Sequence, residues 1–181
     1  MKDGLHRCKM KYSNKAESSN KMAETKTNVM RLLDQKKIPY TSHRYPHGNE
    51  AVDGLTVAKM IGRDPACVFK TLVARGASKA CYVFVIPVTA ELDLKKAARA
   101  VGEKSISMVH VNELLALTGY VRGGCSPIGM KKQYKTVLDE SAFIQSTILV
   151  SAGKIGSQVE LSPADLIKLT GAAPADLTTG E

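Results

Sequence analysis

No apolar run in the 181 residues approaches the roughly 18 that a membrane-spanning helix needs, and Met1 to Asn20 is polar where a secretory signal carries its apolar stretch. The expectation is a soluble, cytoplasmic protein with no membrane partner. Cysteine is scarce and scattered: Cys8, Cys67, Cys81 and Cys125 never form the close pairs that zinc sites and redox motifs use. Neither a disulfide framework nor a metal centre is expected, and Cys67 and Cys81, each in an apolar run, read as small core residues. No glycine-rich phosphate loop, steady strand–helix alternation or internal repeat is present, which argues against a doubly wound nucleotide-binding sheet or a solenoid. Acidic residues are the minority, 17 against 26 Lys and Arg.

What is present suffices for one domain. The chain is 44% hydrophobic, and at this length a fold normally buries roughly 70% of the unfolded surface, without staples. The formal net charge of +9 is uneven: the balance is +4 over residues 1–21, +9 over 22–138 and −4 over 139–181. Residues 1–21 lack any helical or strand period and read as a flexible basic extension, either a natural tail or sequence upstream of a start at Met22. Residues 22–181 are the expected single domain. A basic body suits a polyanionic partner such as nucleic acid, although a solvated charged face gives the same count.

The apolar spacing predicts helices and strands mixed. A first helix after Thr25 carries Val29, Leu32 and Leu33 on one side and ends before Pro39. Residues 40–45 read as a strand, and Thr56 opens a short helix stopped by Gly62. Helical stripes at Leu94–Val101 (cap Asp93, stop Gly102) and Val111–Thr118 (stop Gly119) follow. A last helix has Ser162 as cap, Pro163 at its first position and Asp165 in a weak capping box, and stops at Gly171. The tail beyond is expected to be loose. Runs 67–74, 80–88, 105–109, 136–138, 147–151 and 159–161 are rich in β-branched and aromatic residues. The first two are joined by RGASK, a hairpin-length link, so a largely antiparallel sheet in an α/β fold of the α+β type is expected.

Three features carry chemistry. Lys70 lies in CVFKTLVA, a strand apolar on both faces, where a lysine either snorkels to solvent or works at the floor of a cleft, binding an anion or stabilising developing negative charge. The loop Gly123-Gly124-Cys125-Ser126-Pro127-Ile128-Gly129 is either only a turn or a backbone that approaches a ligand closely, with Lys131, Lys132 and Lys135 just after it. Cys125 invites a nucleophile reading, but His43, His47 and His110 are distant in sequence and no base is placed beside it. His43 and His47 have the spacing of a helical metal pair, which Pro46 breaks.

VFKTLV at 68–73, TGYVRGGCSPIGMKK at 118–132 and VSAGK at 150–154 together resemble the YbaK/EbsC family, freestanding relatives of the editing domain inserted in bacterial prolyl-tRNA synthetases. The resemblance runs from about Thr25 to Gly171. It implies a barrel-like sheet wrapped by helices and an aminoacyl-tRNA deacylase that removes cysteine from mischarged tRNA(Pro), with no cofactor. Lys70 matches the essential lysine; Tyr45, Thr71 and Ser151 match pocket positions, and Gly123, Gly124 and Ser126 match the substrate-facing loop. Lys131, Lys132 and Lys135 fall where the tRNA end would enter. The family commonly has an acidic residue where this chain has Gln158, and GKIGS replaces GKRGL. The mechanism implied is attack by the substrate's own thiol on its ester, releasing cysteine thiolactone, so the reaction stands between lyase and hydrolase classes and uses no protein nucleophile. A water-dependent Ala- or Ser-tRNA deacylase and a non-catalytic module that docks tRNA or a synthetase are the alternatives. Prolyl-tRNA synthetase is the protein partner the resemblance implies.

Overall fold

Strand β2 (Phe69–Gly76) separates the two larger of the molecule's apolar clusters. Alternate side chains of a strand point to opposite faces: Phe69 and Val73 enter the main core, while Leu72 and Ala74 face a smaller one built on Phe84, Ile86, Ala97 and Val101. Lys70 and Thr71 sit where the strand emerges from between these cores. The computed structural model describes residues 25–179; the basic extension expected over 1–21 lies outside them.

β2 turns tightly into β3 (Cys81–Pro87), antiparallel, with Lys70 opposite Ile86 and Arg75 opposite Cys81. Glu103 staples the connection, accepting from the Ser78 backbone and hydroxyl and from the Tyr82 hydroxyl. The five-stranded sheet runs β4 (Ile106–Met108), β2, β3, β5 (Lys135–Asp139), β8 (Ala173–Ala175); β5 and β8 join in parallel. A three-stranded antiparallel sheet runs β1 (Thr41–Arg44), β7 (Ser157–Leu161), β6 (Ile148–Ser151). The antiparallel expectation holds for four of the six pairings. The barrel does not close: the two sheets meet at a single parallel bridge between Val68 and Leu149.

Helices α1 (Asn28–Gln35), α2 (Gly54–Met60), α3 (Leu94–Val101), α4 (Val111–Thr118) and α5 (Pro163–Thr170) are bounded by local chemistry. Asp93 and Ser162 cap α3 and α5 as expected, and Gly102, Gly119 and Gly171 end their helices in the left-handed conformation that glycine adopts without penalty. Two starts differ from the expected ones. α1 is capped by Thr27, whose hydroxyl accepts from Met30 N, rather than by Thr25, and α2 by Asp53 rather than opened at Thr56. Both shifts follow from which side-chain oxygen reaches an unpaired helical N–H. Cys67 lies in a 3-10 turn (Pro65–Cys67) ahead of β2 rather than in the strand, its backbone N–H taken by Asp64.

The tail after α5 is ordered, contrary to expectation. β8 pairs with β5, Leu177 is fully buried, its N–H donates to the Asp139 carboxylate at 3.0 Å, and Thr179 N donates to Glu91 O. A three-residue strand shows no sequence period, so only the tertiary partners reveal it. Among the described residues no helix is long and apolar enough to cross a membrane.

Candidate active site

Around the start of β2, the segment after β1, α2, the 120–130 loop, the end of β6 and β7 converge on a pocket of about 120 Å³. That is the volume of about four water molecules in the liquid, at roughly 30 Å³ each, so it admits a small side chain. Tyr45, Lys70, Thr71, Gly123, Ser151 and Gln158 all line it. The pocket shares Val52, Lys70, Thr71 and Gly123 with a larger cleft of about 890 Å³ that lies next to it.

Each lining residue is held by a local cause. Tyr45 is buried, anchored by its N–H to Gly156 O at 3.1 Å, with its ring edge-on to His47 at 6.4 Å. Gly156 has φ +82°, and any Cβ there would collide with the His47 ring, so only glycine lets the turn pass beneath it. Gly123 has φ +82° as well, and a Cβ would lie 2.6 Å from that of Ala51. Ser151 lines the pocket while its hydroxyl accepts from Gly153 N at 3.2 Å, holding the same glycine turn. The Lys70 stem follows the wall and its ammonium donates to Glu91 Oε1 at 3.0 Å, with the lysine side chain 27% exposed and Glu91 almost free in solvent. Lys70 therefore snorkels and also lines the cleft; the two readings of the strand are compatible.

Two polar atoms in this pocket have no partner. Thr71 Oγ1 and Gln158 Oε1 are buried and accept or donate no hydrogen bond. A buried polar group left unpaired costs about 1–3 kcal/mol, and native interiors hold few such groups; both belong to residues that line the pocket. Ser157 Oγ is likewise unpaired, next to Gln158 in the chain.

Cys125 also lines the pocket, but burial pushes its thiol up to about 12, against a smaller opposing effect of the Thr118 hydroxyl. At neutral pH it is a protonated thiol, and a thiol is a poor nucleophile. Among the described residues no histidine hydrogen-bonds to it: His43 Nε2 meets Glu160 at 2.7 Å, His47 Nδ1 meets Gly48 O, and His110 stands at the start of α4.

Other expected residues stand outside the pocket. Gly124 and Ser126 are buried behind its wall: a Cβ on Gly124 would press on the Lys154–Ile155 backbone, and Ser126 Oγ accepts from Ile128 N at 3.3 Å, shaping the loop. The three lysines diverge. Lys131 reaches Leu115 O at the rim of the large cleft, Lys132 lines a separate depression of about 220 Å³ beside α1 and α5, and Lys135 donates to Val101 O at the C-terminus of α3.

Two features escaped the sequence. Glu91, the partner of Lys70, lies in an unpatterned loop 21 residues away. Glu160 on β7 is 8% exposed, clasped by Arg63, by Thr147 Oγ1 at 2.6 Å and by His43; its carboxyl is pulled down to about 2, chiefly by the Arg63 hydrogen bond. A lone Glu in a run of strand residues gave no signal beyond its unlikely burial. Among the described residues no group of three or more His, Cys, Asp and Glu side chains converges as a metal site.

Comparison with known proteins adds three findings. The family model described as the aminoacyl-tRNA editing domain matches residues 50–169. EbsC of Enterococcus faecalis, a candidate Cys-tRNA(Pro)/Cys-tRNA(Cys) deacylase, is 45% identical over 163 residues, which cover 90% of this chain and 99% of EbsC. The crystal structure of a candidate trans-editing enzyme for prolyl-tRNA synthetase superposes with a TM-score of 0.73 at 26% identity, covering 84% of this chain and 95% of that one; a hypothetical protein of 22% identity and TM-score 0.75 shares the fold.

Proposed function

This chain belongs to the aminoacyl-tRNA editing-domain family, and from that premise we propose that it works in trans as a deacylase of Cys-tRNA(Pro). The observation that carries the reading is the narrow pocket that brings Tyr45, Lys70, Thr71, Gly123, Ser151 and Gln158 together, next to the larger cleft. A small aminoacyl group fits that end. The ester, joining amino acid to ribose, then lies at the junction of pocket and cleft, where Lys70 stands.

The reaction proposed is attack by the substrate's own thiol. The cysteine sulfur bonds to the ester carbonyl carbon, the carbon–oxygen bond to the ribose breaks, and the thiol proton ends on the ribose oxygen, leaving tRNA and cysteine thiolactone. No protein nucleophile enters, which agrees with the protonated, base-less Cys125. The protein's part is to hold sulfur and carbonyl together and to stabilise the oxyanion with the Lys70 ammonium. Residues 22–181 form the deacylase domain in this proposal, the compartment is the cytoplasm, and prolyl-tRNA synthetase is the partner suggested by the solved relative's description.

Amino-acid release from Cys-, Ala- and Ser-tRNA(Pro), by wild type and by Lys70→Ala, tests this. Release from Cys-tRNA(Pro) that the mutant loses is the expected result. Release from Ala- or Ser-tRNA at the cysteine rate points instead to the water-dependent deacylase, and tRNA binding without release by wild type points to a docking module.

A further inference from the structure

Positive charge gathers on helix α3 and the turn that follows it. Residues 94–106 hold Lys95, Lys96, Arg99 and Lys104 against one acid, Glu103. Lys96 is committed to Asp176 and to Thr178 O. Lys95, Arg99 and Lys104 are exposed and make no side-chain hydrogen bond or ion pair with a described residue; Arg99 acts on Asp93 only through space. All three line a groove of about 450 Å³ together with buried Ala98 and Ile106 and with Leu94, which is 43% exposed. Glu103 lines it too, but its carboxylate already accepts from Ser78 and from the Tyr82 hydroxyl at 2.7 Å. Three unpaired cations around a concave apolar strip, with the one acid already partnered, complement a polyanion.

The position of the groove selects the polyanion. Lys95 and Arg99 are four residues apart, so they lie on one line of the helix, about 6 Å apart along its axis. α3 starts three residues after Glu91, whose carboxylate takes the Lys70 ammonium at 3.0 Å, so Leu94 and Lys95 mark the end of the groove nearer the pocket. Ile106 marks the far end: it pairs with Gly76, six residues beyond Lys70 on β2 and about 20 Å along the strand. A duplex carries one phosphate per about 3.4 Å of axis on each strand, so this length takes several in succession. An acidic protein segment needs no such alignment with the pocket, whereas a nucleic-acid strand joined to the pocket's occupant does.

We propose that the α3 groove is a track for the phosphate backbone, in which Lys95, Arg99 and Lys104 contact successive phosphates of the RNA arm whose end carries the amino acid. The proposal rests on the editing reading for the identity of that RNA. Contacts of this kind position the arm and carry no base sequence.

The test uses the full chain and an uncharged RNA hairpin with the acceptor-arm sequence of tRNA(Pro), its binding read by fluorescence anisotropy over a range of salt. KM and kcat on Cys-tRNA(Pro) and on the cysteine ester of adenosine are measured alongside. In the triple variant Lys95→Gln, Arg99→Gln, Lys104→Gln, hairpin affinity is expected to fall at least about tenfold. The slope of log affinity against log salt becomes shallower by about 2–3, the effect of three lost phosphate contacts. KM on Cys-tRNA(Pro) rises with kcat nearly unchanged, the pattern of binding lost equally from ground and transition states. Turnover of the adenosine ester, which has no phosphate to lose, stays at the wild-type value. The charge-matched control Lys36→Gln, Lys37→Gln, Lys168→Gln, all exposed and outside the groove lining, leaves every one of these values in place. Equal weakening by the control, an unchanged salt slope in the groove variant, or tighter binding of a glutamate-rich peptide than of the hairpin would each overturn the proposal. Hairpin binding that responds as expected, in a wild type that releases no amino acid from any tRNA, keeps the track and removes the editing reading.

Discussion

Gln158 and Glu160 stand two residues apart on β7, both more than nine-tenths buried, yet their polar ends are treated in opposite ways. Glu160 is met by a guanidinium, a hydroxyl and an imidazole, so its charge is fully answered by the protein. Gln158 Oε1 is met by nothing, although the residue lines the pocket together with Thr71. Satisfied burial holds the sheet; unsatisfied burial is kept at a cost in stability. The difference sets Glu160, answered within the fold, apart from Gln158, an unanswered residue of the pocket lining.

The sharpest way to break the comparison is to attack each side and read both stability and activity. On the functional side, Lys70→Ala is expected to lower deacylation at least about 100-fold, the scale of losing one oxyanion-stabilising group, while the thermal midpoint stays put because its only ion pair among the described residues is with a solvent-exposed Glu91. On the structural side, Glu160→Ala leaves Arg63 and His43 facing a gap and is expected to cost about 3 kcal/mol in denaturant melts, with activity per folded molecule retained.

Acid probes the same carboxylate without mutation. The fold holds Glu160 at about 2, below its ordinary 4.5, so the charged form is the one the native state favours. Its contribution is complete above about pH 4.5 and is lost as pH falls toward 2, on the order of 2–3 kcal/mol by linkage. Melts between those pH values should show this loss, and Glu160→Gln should flatten that limb.

Gln158→Leu sharpens the contrast from the other direction. It removes an unpaired acceptor and is expected to raise stability by about 1 kcal/mol while raising KM for Cys-tRNA(Pro), a gain and a loss that no purely structural residue would combine. The smallest expected effect is that of Cys125→Ala: deacylation within a few-fold of wild type, as measured by amino-acid release, because the buried protonated thiol takes no part in bond-making.

These residues differ in how visible they were beforehand. Lys70 was legible because a lysine in a strand apolar on both faces conflicts with its surroundings, and Asp93, Gly102, Ser162 and Gly171 because caps act over three or four residues. Glu160 and Glu91 were not, since their partners Arg63 and Lys70 lie 97 and 21 residues away and only the folded chain joins them. The tail was misread for the same reason: Leu177 is ordered by Asp139, 38 residues earlier. Lys131, Lys132 and Lys135 show the reverse error. Neighbours in sequence suggested one basic mouth, but strand and loop geometry sends them three ways, with Lys135 drawn to the carbonyl end of α3, where a cation is favoured by the helix dipole.

The proposed chemistry is tested most directly by the ratio of single-turnover deacylation rates on Cys-tRNA(Pro) and Ser-tRNA(Pro), substrates that differ in one atom at the attacking position. Thiol self-attack in a pocket that supplies no nucleophile predicts rapid cysteine release and serine left on the tRNA. Equal rates would contradict it, because only a water or protein nucleophile could act on both.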